Sequence, residues 1–264
     1  MAERVTFSTT DGVAIVGDYY AGPTGLSPAV VLLHMMHQPA RGDADEGAPT
    51  KRMFWRANPE RSERVSKRLR MPAERASWAN LARALQADGF QALAIDLRGH
   101  GESVHQHLNG RPPAVLDYKK FSDAEHQASI NDVIAAVEWL VRRGSLRESV
   151  ALAGASIGAN LALQYLAQDA RHRAAILLSP GLDYRGIAAE PLVRRLREGQ
   201  AVYFVSAEDD GDNAEMVKRL FNAVPLGVAK EIRIFAQGGH GTTMLERDGS
   251  ISVQLIQWLR RLYY

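Results

Sequence analysis

The sequence predicts an α/β protein built on a mostly parallel, doubly wound sheet with an antiparallel N-terminal hairpin. Three observations predict it: six short apolar runs, amphipathic helical patterns between them, and a β-branched alternation at the start. The runs are AVVLLH (29–34), ALAIDL (92–97), VALAGA (150–155), AAILLS (174–179), AVYFVS (201–206) and EIRIFA (231–236). Each has the continuous apolar texture of a strand buried on both faces, the condition of parallel strands covered by crossover helices.

At the start, VTFST and VAIVGDYY flank Thr10, Asp11 and Gly12, and β-branched alternation around Asp-Gly marks an antiparallel hairpin. Helical patterns occupy 77–87, 157–168 and 213–222. In 130–141, Ile130, Val133, Ile134, Val137 and Val141 recur at i, i+3, i+4, i+7 and i+11, a single stripe facing a sheet. The final helix repeats this with Ile251, Leu255, Trp258, Leu259 and Leu262. Strands alternating with helices give βαβ units and a doubly wound sheet. Between AAILLS and AVYFVS about twenty residues intervene, room for a turn and one helix but not for a multi-helix cap.

One stretch breaks the rhythm. Residues 39–76 hold ten Lys or Arg against six Asp or Glu, with four Pro and little apolar periodicity, so they carry +4 and leave −2 for the rest. They read as a basic insertion in a strand-to-helix turn. A solvated loop is the ordinary state of such a stretch; the other readings are a flap over the pocket and a nucleic-acid arm. No internal repeat or linker divides the chain, so one domain spanning 1–264 is expected.

The whole chain of 264 residues carries 32 Lys plus Arg against 30 Asp plus Glu, a net charge of +2, too balanced for a protein whose main task is neutralising phosphate backbones. No nucleic-acid partner is expected. With no cysteine, disulfides, thiolate metal sites, iron–sulfur clusters and a cysteine nucleophile are excluded. The opening MAERVTFSTTDGVAIVGDYY lacks a continuous apolar stretch, and no run approaches the ~18 residues of a membrane span. A cytoplasmic protein without membrane contact is expected. The sequence carries no signal of oligomeric state.

The strongest chemical signal is Gly154-Ala155-Ser156-Ile157-Gly158, between the strand VALAGA and the helix ANLALQYLA. A serine in a sharp strand-to-helix turn is lifted above the sheet, and small residues two before and two after avoid backbone collision. The helix start aims N–H groups and a positive dipole end at any anion formed there, so Ile157 N–H is the first candidate oxyanion donor. A serine hydroxyl needs a general base oriented by a carboxylate. VYFVSAEDDGD offers Glu208, Asp209, Asp210 and Asp212 just past one strand, and FAQGGHGTTM offers His240 past the next. Both loops leave carboxyl ends of strands, the edge where open α/β sheets bind ligands. The order Ser156, acid, His240 is that of a nucleophile-elbow hydrolase. Of the other histidines near strand ends, His34, His37 and His100, none follows the acid.

LLHMMHQ, IDLRGHGES, GASIG, VSAEDD and GGHG, together with the hairpin start, resemble the α/β-hydrolase superfamily, and the resemblance covers nearly the whole chain apart from 39–76. IDLRGHGES is similar to a D-x-R-G-x-G-x-S stretch after the fourth strand of many members, where RGHG is a structural turn. The resemblance implies an α/β-hydrolase fold. Set on the family's acid loop, SAEDD puts Asp210 in the triad place, with Asp209 as alternate and Glu208 and Asp212 behind. Set on the family's H-G-x loop, His34-Met35-Met36 makes Met36 N–H the second oxyanion donor, with Met35 as alternate.

The function implied is a serine hydrolase of a carboxylic ester or similar acyl compound, a compact carboxylesterase resembling dienelactone-hydrolase-like proteins but with serine in place of their cysteine. Acyltransferase and peptidase activities would use the same residues, and a non-catalytic small-molecule binder is the remaining alternative. No H-E-x-x-H, EF-hand ladder or dinucleotide fingerprint is present, so neither a metal nor a cofactor is implied. The partner expected is a small-molecule acyl substrate.

Overall fold

The computed structural model describes residues 2–36, 74–107, 110 and 112–264. The basic insertion expected at 39–76 lies outside the described residues except for 74–76, as does His37.

The hairpin forms as β1 (Glu3–Ser8) and β2 (Val13–Tyr20), paired antiparallel with Val5 opposite Gly17. The apolar runs follow as β3 (Ala29–Leu33), β4 (Gln91–Ile95), β7 (Val150–Ala155), β8 (Ala174–Leu178), β11 (Ala201–Ala207) and β12 (Ala229–Phe235). Two-residue strands β5 (His105–Gln106) and β6 (Ala114–Val115) extend the antiparallel end, and β9 (Asp183–Tyr184) and β10 (Ile187–Ala188) make a separate small hairpin. Among the described residues the sheet runs β12-β11-β8-β7-β3-β4-β2-β5-β6, with β1 on β2. From β12 to β4 every pairing is parallel. The chain winds outward from β3 in both directions, to β4 on one side and through β7, β8, β11 and β12 on the other. Ligands bind outside the carboxyl ends where such a winding reverses.

Helices α1 (Ala79–Ala87) and α8 (Gly249–Tyr263) cover one face, and α3 (Ile130–Arg142), α4 (Ile157–Gln168) and α6 (Asn213–Ala223) the other. Alternate strand residues feed the two cores. Val31, Leu33, Leu152 and Phe204 pack with Val133, Leu161 and Val217, whereas Val30, Leu32, Ala153 and Val205 pack with Leu81, Leu255 and Trp258. Shorter helices are α2 (Asp123–Gln127), α5 (Ala189–Val193) and α7 (Thr243–Arg247); α2 starts on a capping box made by Ser122 and Glu125.

Two expectations are corrected. EIRIFA is not buried on both faces: β12 lies at the sheet edge, with Glu231 and Arg233 exposed and Ile232 and Ile234 partly covered. An edge strand tolerates this period-two alternation, and outward charges discourage pairing with other chains. The segment between β8 and β11 holds the β9–β10 hairpin as well as one short helix, α5.

Candidate active site

The serine expected as nucleophile occupies the turn between β7 and α4 at φ 54° and ψ −120°. A non-glycine residue there stores on the order of 1–3 kcal/mol of strain. Neighbouring bonds hold it: Ser156 N–H donates to Leu178 O at 2.9 Å, and Ser156 O accepts from Ala159 and Asn160 N–H at 2.9 and 3.2 Å. The flanking glycines answer a spatial demand. A Cβ on Gly154 would lie 2.0 Å from Gly158 O, and one on Gly158 would lie 2.4 Å from Leu33 O. As the first residue of α4, Ile157 has no carbonyl one turn earlier in the helix to receive its N–H.

The strand-end loops are tied together one rung beyond the sheet. Ser179 N–H donates to Val205 O and Glu208 N–H to Phe235 O, both at 2.8 Å. Gly241 N–H donates to Ser179 Oγ at 2.9 Å. A Cβ on Gly241 would approach Met35 Sδ at 2.9 Å and Ala155 Cβ at 3.3 Å. The loops after β3, β7, β8 and β12 therefore meet at one edge.

His240 lies in this gathering. Its Nδ1 bonds both oxygens of Asp210 at 2.9 Å; the Asp210 side chain is 3% exposed and that of His240 20%. With Nδ1–H directed at the carboxylate, Nε2 keeps the lone pair that takes a proton. Asp209, the alternate acid, faces elsewhere. It accepts from Gly238 and Gly239 N–H at 2.8 and 2.7 Å and from Arg247 at 2.9 Å, so it braces the loop that carries His240. Glu208 is exposed, and Asp212 precedes the first residue of α6 without a capping hydrogen bond from its side chain.

The loop after β3 is set by a buried histidine. Leu97 N–H donates to His34 Nε2 at 2.9 Å, so the proton sits on Nδ1, which donates to Met35 O at 2.7 Å. In a trans peptide the N–H points opposite to the C=O, so this bond also sets the direction of Met36 N–H. Burial pushes His34 down to about 4 and His100 down to about 3. Their rings meet edge to face at 4.9 Å, and His100 stacks on Tyr118 at 3.8 Å. These histidines are neutral scaffolding.

Tyr184, on β9, was not anticipated. Its ring lies over Gly181, where an added Cβ would sit 2.7 Å from Cε2 and Cζ, and burial is the main cause that pushes its phenol pKa up. The only advance signal is an aromatic in the short DYRG turn after a strand whose carboxyl end faces the site. Among the described residues no cluster of His, Asp or Glu is arranged to hold a metal ion, and no helix is long and apolar enough to cross a membrane.

Residues 73–222 match the Hydrolase_4 family, described as serine aminopeptidase, S33. The chain belongs to that family. It is thereby a member of the α/β-hydrolase superfamily; the family match takes in Ser156 and Asp210, while Met36 and His240 lie outside it. The esterase Pf2001 of Pyrococcus furiosus superposes with a TM-score of 0.67 at 14% identity, over 100% of this chain and 94% of the esterase. Dienelactone hydrolase from Anabaena variabilis gives 0.61 at 14% identity, over 100% and 99%. The acylaminoacyl peptidase of Pyrococcus horikoshii gives 0.64 at 12% identity, over 99% of this chain but 41% of that larger one. At such identities the likeness carries the fold. A search of curated protein sequences gives no match.

Proposed function

We propose that this chain is a serine hydrolase that cleaves a carboxylic ester or similar acyl compound through Ser156, His240 and Asp210 and an acyl-enzyme intermediate. The observation that carries the reading is the two-oxygen grip of Asp210 on His240 Nδ1 at 2.9 Å, in a loop whose next residue lies against the strand end that carries Ser156. Membership in a hydrolase family supports it.

Ser156 Oγ attacks the acyl carbon while its proton passes to His240 Nε2, and Asp210 holds the imidazolium that forms. Charge on the carbonyl oxygen is received by Ile157 and Met36 N–H, each such donor being worth about 3 kcal/mol in systems of this kind. His240 returns the proton to the departing alcohol. Water then gives a proton to His240 and bonds to the acyl carbon, the carbon–Oγ bond breaks, and Oγ is reprotonated.

The family description favours one second reading, removal of an amino acid from a peptide by the same residues. A fluorophosphonate probe should label the wild type at Ser156 and leave Ser156→Ala unlabelled, and p-nitrophenyl butyrate should be cleaved in preference to an aminoacyl p-nitroanilide. Preference for the anilide selects the peptidase reading. Absence of both labelling and turnover in folded wild-type protein defeats both.

A further inference from the structure

We propose that Ser179 is a positioning residue for the base: its buried hydroxyl, by accepting the Gly241 N–H, holds the His240 ring with Nδ1 on Asp210. The inference rests on the triad reading above.

Backbone strain singles the residue out. Among the described residues three non-glycine residues have positive φ: Ser156 at 54°, Ser179 at 49° and Arg185 at 56°. Arg185 stands with Gly186, φ 79°, in the two-residue turn of the β9–β10 hairpin, where both central positions take that sign. Ser156 occupies the nucleophile turn. Ser179 needs another reason. Glycine would take its backbone at lower cost but has no hydroxyl, and here the hydroxyl has a partner. Gly241 N–H donates to Ser179 Oγ at 2.9 Å, and Ser179 is fully buried.

That bond closes on the peptide group next to the base. Gly241 N–H belongs to the His240–Gly241 peptide, whose carbonyl, His240 O, accepts Thr243 N–H at 3.2 Å. A trans peptide is planar, with N–H and C=O on opposite sides. Ties at both ends therefore fix its plane, and with it the direction from which the imidazole projects toward Asp210. Without Oγ a buried N–H loses its partner, and the peptide can turn about the one tie left.

The same stretch of chain carries the other members of the triad. Ser156 N–H donates to Leu178 O at 2.9 Å, and Ser179 N–H donates to Val205 O on β11 at 2.8 Å. Pro180 O accepts from Asn213 Nδ2 at 2.8 Å, and Asn213 N–H donates to Asp210 O at 3.1 Å. Asn213 is itself buried, its Oδ1 accepting from Ser206 Oγ at 2.7 Å. Residues 178, 179 and 180 thus hold the nucleophile turn, the base loop and the acid loop in succession. Of these three links only the one from Ser179 is made by a side chain of the segment, so a single substitution removes it and leaves the backbone links in place.

The test is Ser179→Ala beside Ser179→Gly. Glycine releases the backbone strain, alanine keeps it, and both delete Oγ, so a loss common to the two belongs to the hydroxyl. Hydrolysis of p-nitrophenyl acetate should show kcat lowered about tenfold or more in both. KM should change little, since a fully buried Ser179 meets no substrate. Nitrogen NMR spectra of the imidazoles at about pH 9, above the usual histidine pKa of ~6.5, read the tautomer directly, with His240 assigned by the signals missing from His240→Gln. The wild type should hold His240 in the Nδ1–H form alone, and both variants should show a mixture with the Nε2–H form. Wild-type kcat or an unmixed tautomer in Ser179→Gly overturns the proposal. Wild-type protein that neither takes the fluorophosphonate probe nor turns over defeats the serine-hydrolase reading instead, and the tautomer comparison, which needs no turnover, still decides what Ser179 does.

Discussion

Asp209 and Asp210 are consecutive carboxylates turned to different work. Asp210 faces inward to His240 Nδ1, and Asp209 gathers two glycine N–H groups and Arg247 beneath the histidine loop. Asp210→Asn should lower kcat for an ester by a factor on the order of 10⁴, because an amide no longer enforces the Nδ1–H tautomer. Asp209→Ala should cost about tenfold in kcat and about 1–2 kcal/mol of stability, since the loop loses its brace but the imidazole keeps its partner. Ester kinetics and urea unfolding of the two variants separate the roles, and equal kinetic losses contradict them. The sequence shows a run of acids past a strand; which one faces the histidine depends on how the turn after β11 rotates successive side chains, and no pattern in SAEDD encodes that rotation.

At the scale of the element, the nucleophile turn depends on empty space. Gly158 lies under the backbone of β3, so Gly158→Ala should destabilise by about 4 kcal/mol or more, as a clash with backbone has no side chain to move aside. Gly249→Ala, at the start of α8 where a Cβ meets nothing within 4 Å, should be neutral or slightly stabilising. Chemical denaturation of both variants is the check. Long periodic elements are legible from residues alone: the stripe from Ile130 to Val141 and the run VALAGA occupy a helix and a strand at almost the expected bounds. EIRIFA shows the limit, because Ile232 and Ile234 suggest full burial while the alternating Glu231 and Arg233 mark an edge. The pairs 105–106, 114–115 and 183–188 are too short for any period to register, and they form because neighbouring backbone offers partners. Tyr184 escapes sequence reading for that reason.

At the scale of the whole molecule, protonation links the loop after β3 to the core. His34 and His100 are buried and neutral, held near 4 and 3 chiefly by burial, and burial also lowers His172. An unfolded chain protonates these rings near 6.5. Between about pH 6.5 and pH 4 the unfolded state binds protons that the folded state refuses, so stability is full above this window and falls as the pH drops through it. Urea midpoints at pH 7, 5.5 and 4.5 should decline steadily, by a few kcal/mol in all, and a flat profile would exclude buried neutral histidines.

The ties that run one rung beyond the sheet bear on how the chain reaches its working form. Ser156 hangs on Leu178, Ser179 on Val205, Glu208 on Phe235 and Gly241 on Ser179. The loops around Ser156, Asp210 and His240 are thus indexed to other strand ends, like marks on a vernier, and a two-residue slip in any one of these pairings would preserve the buried faces while moving the loops out of step. Recovered turnover after refolding consequently counts only chains whose every ladder has locked in step, a stricter gauge than regained helix content or compactness.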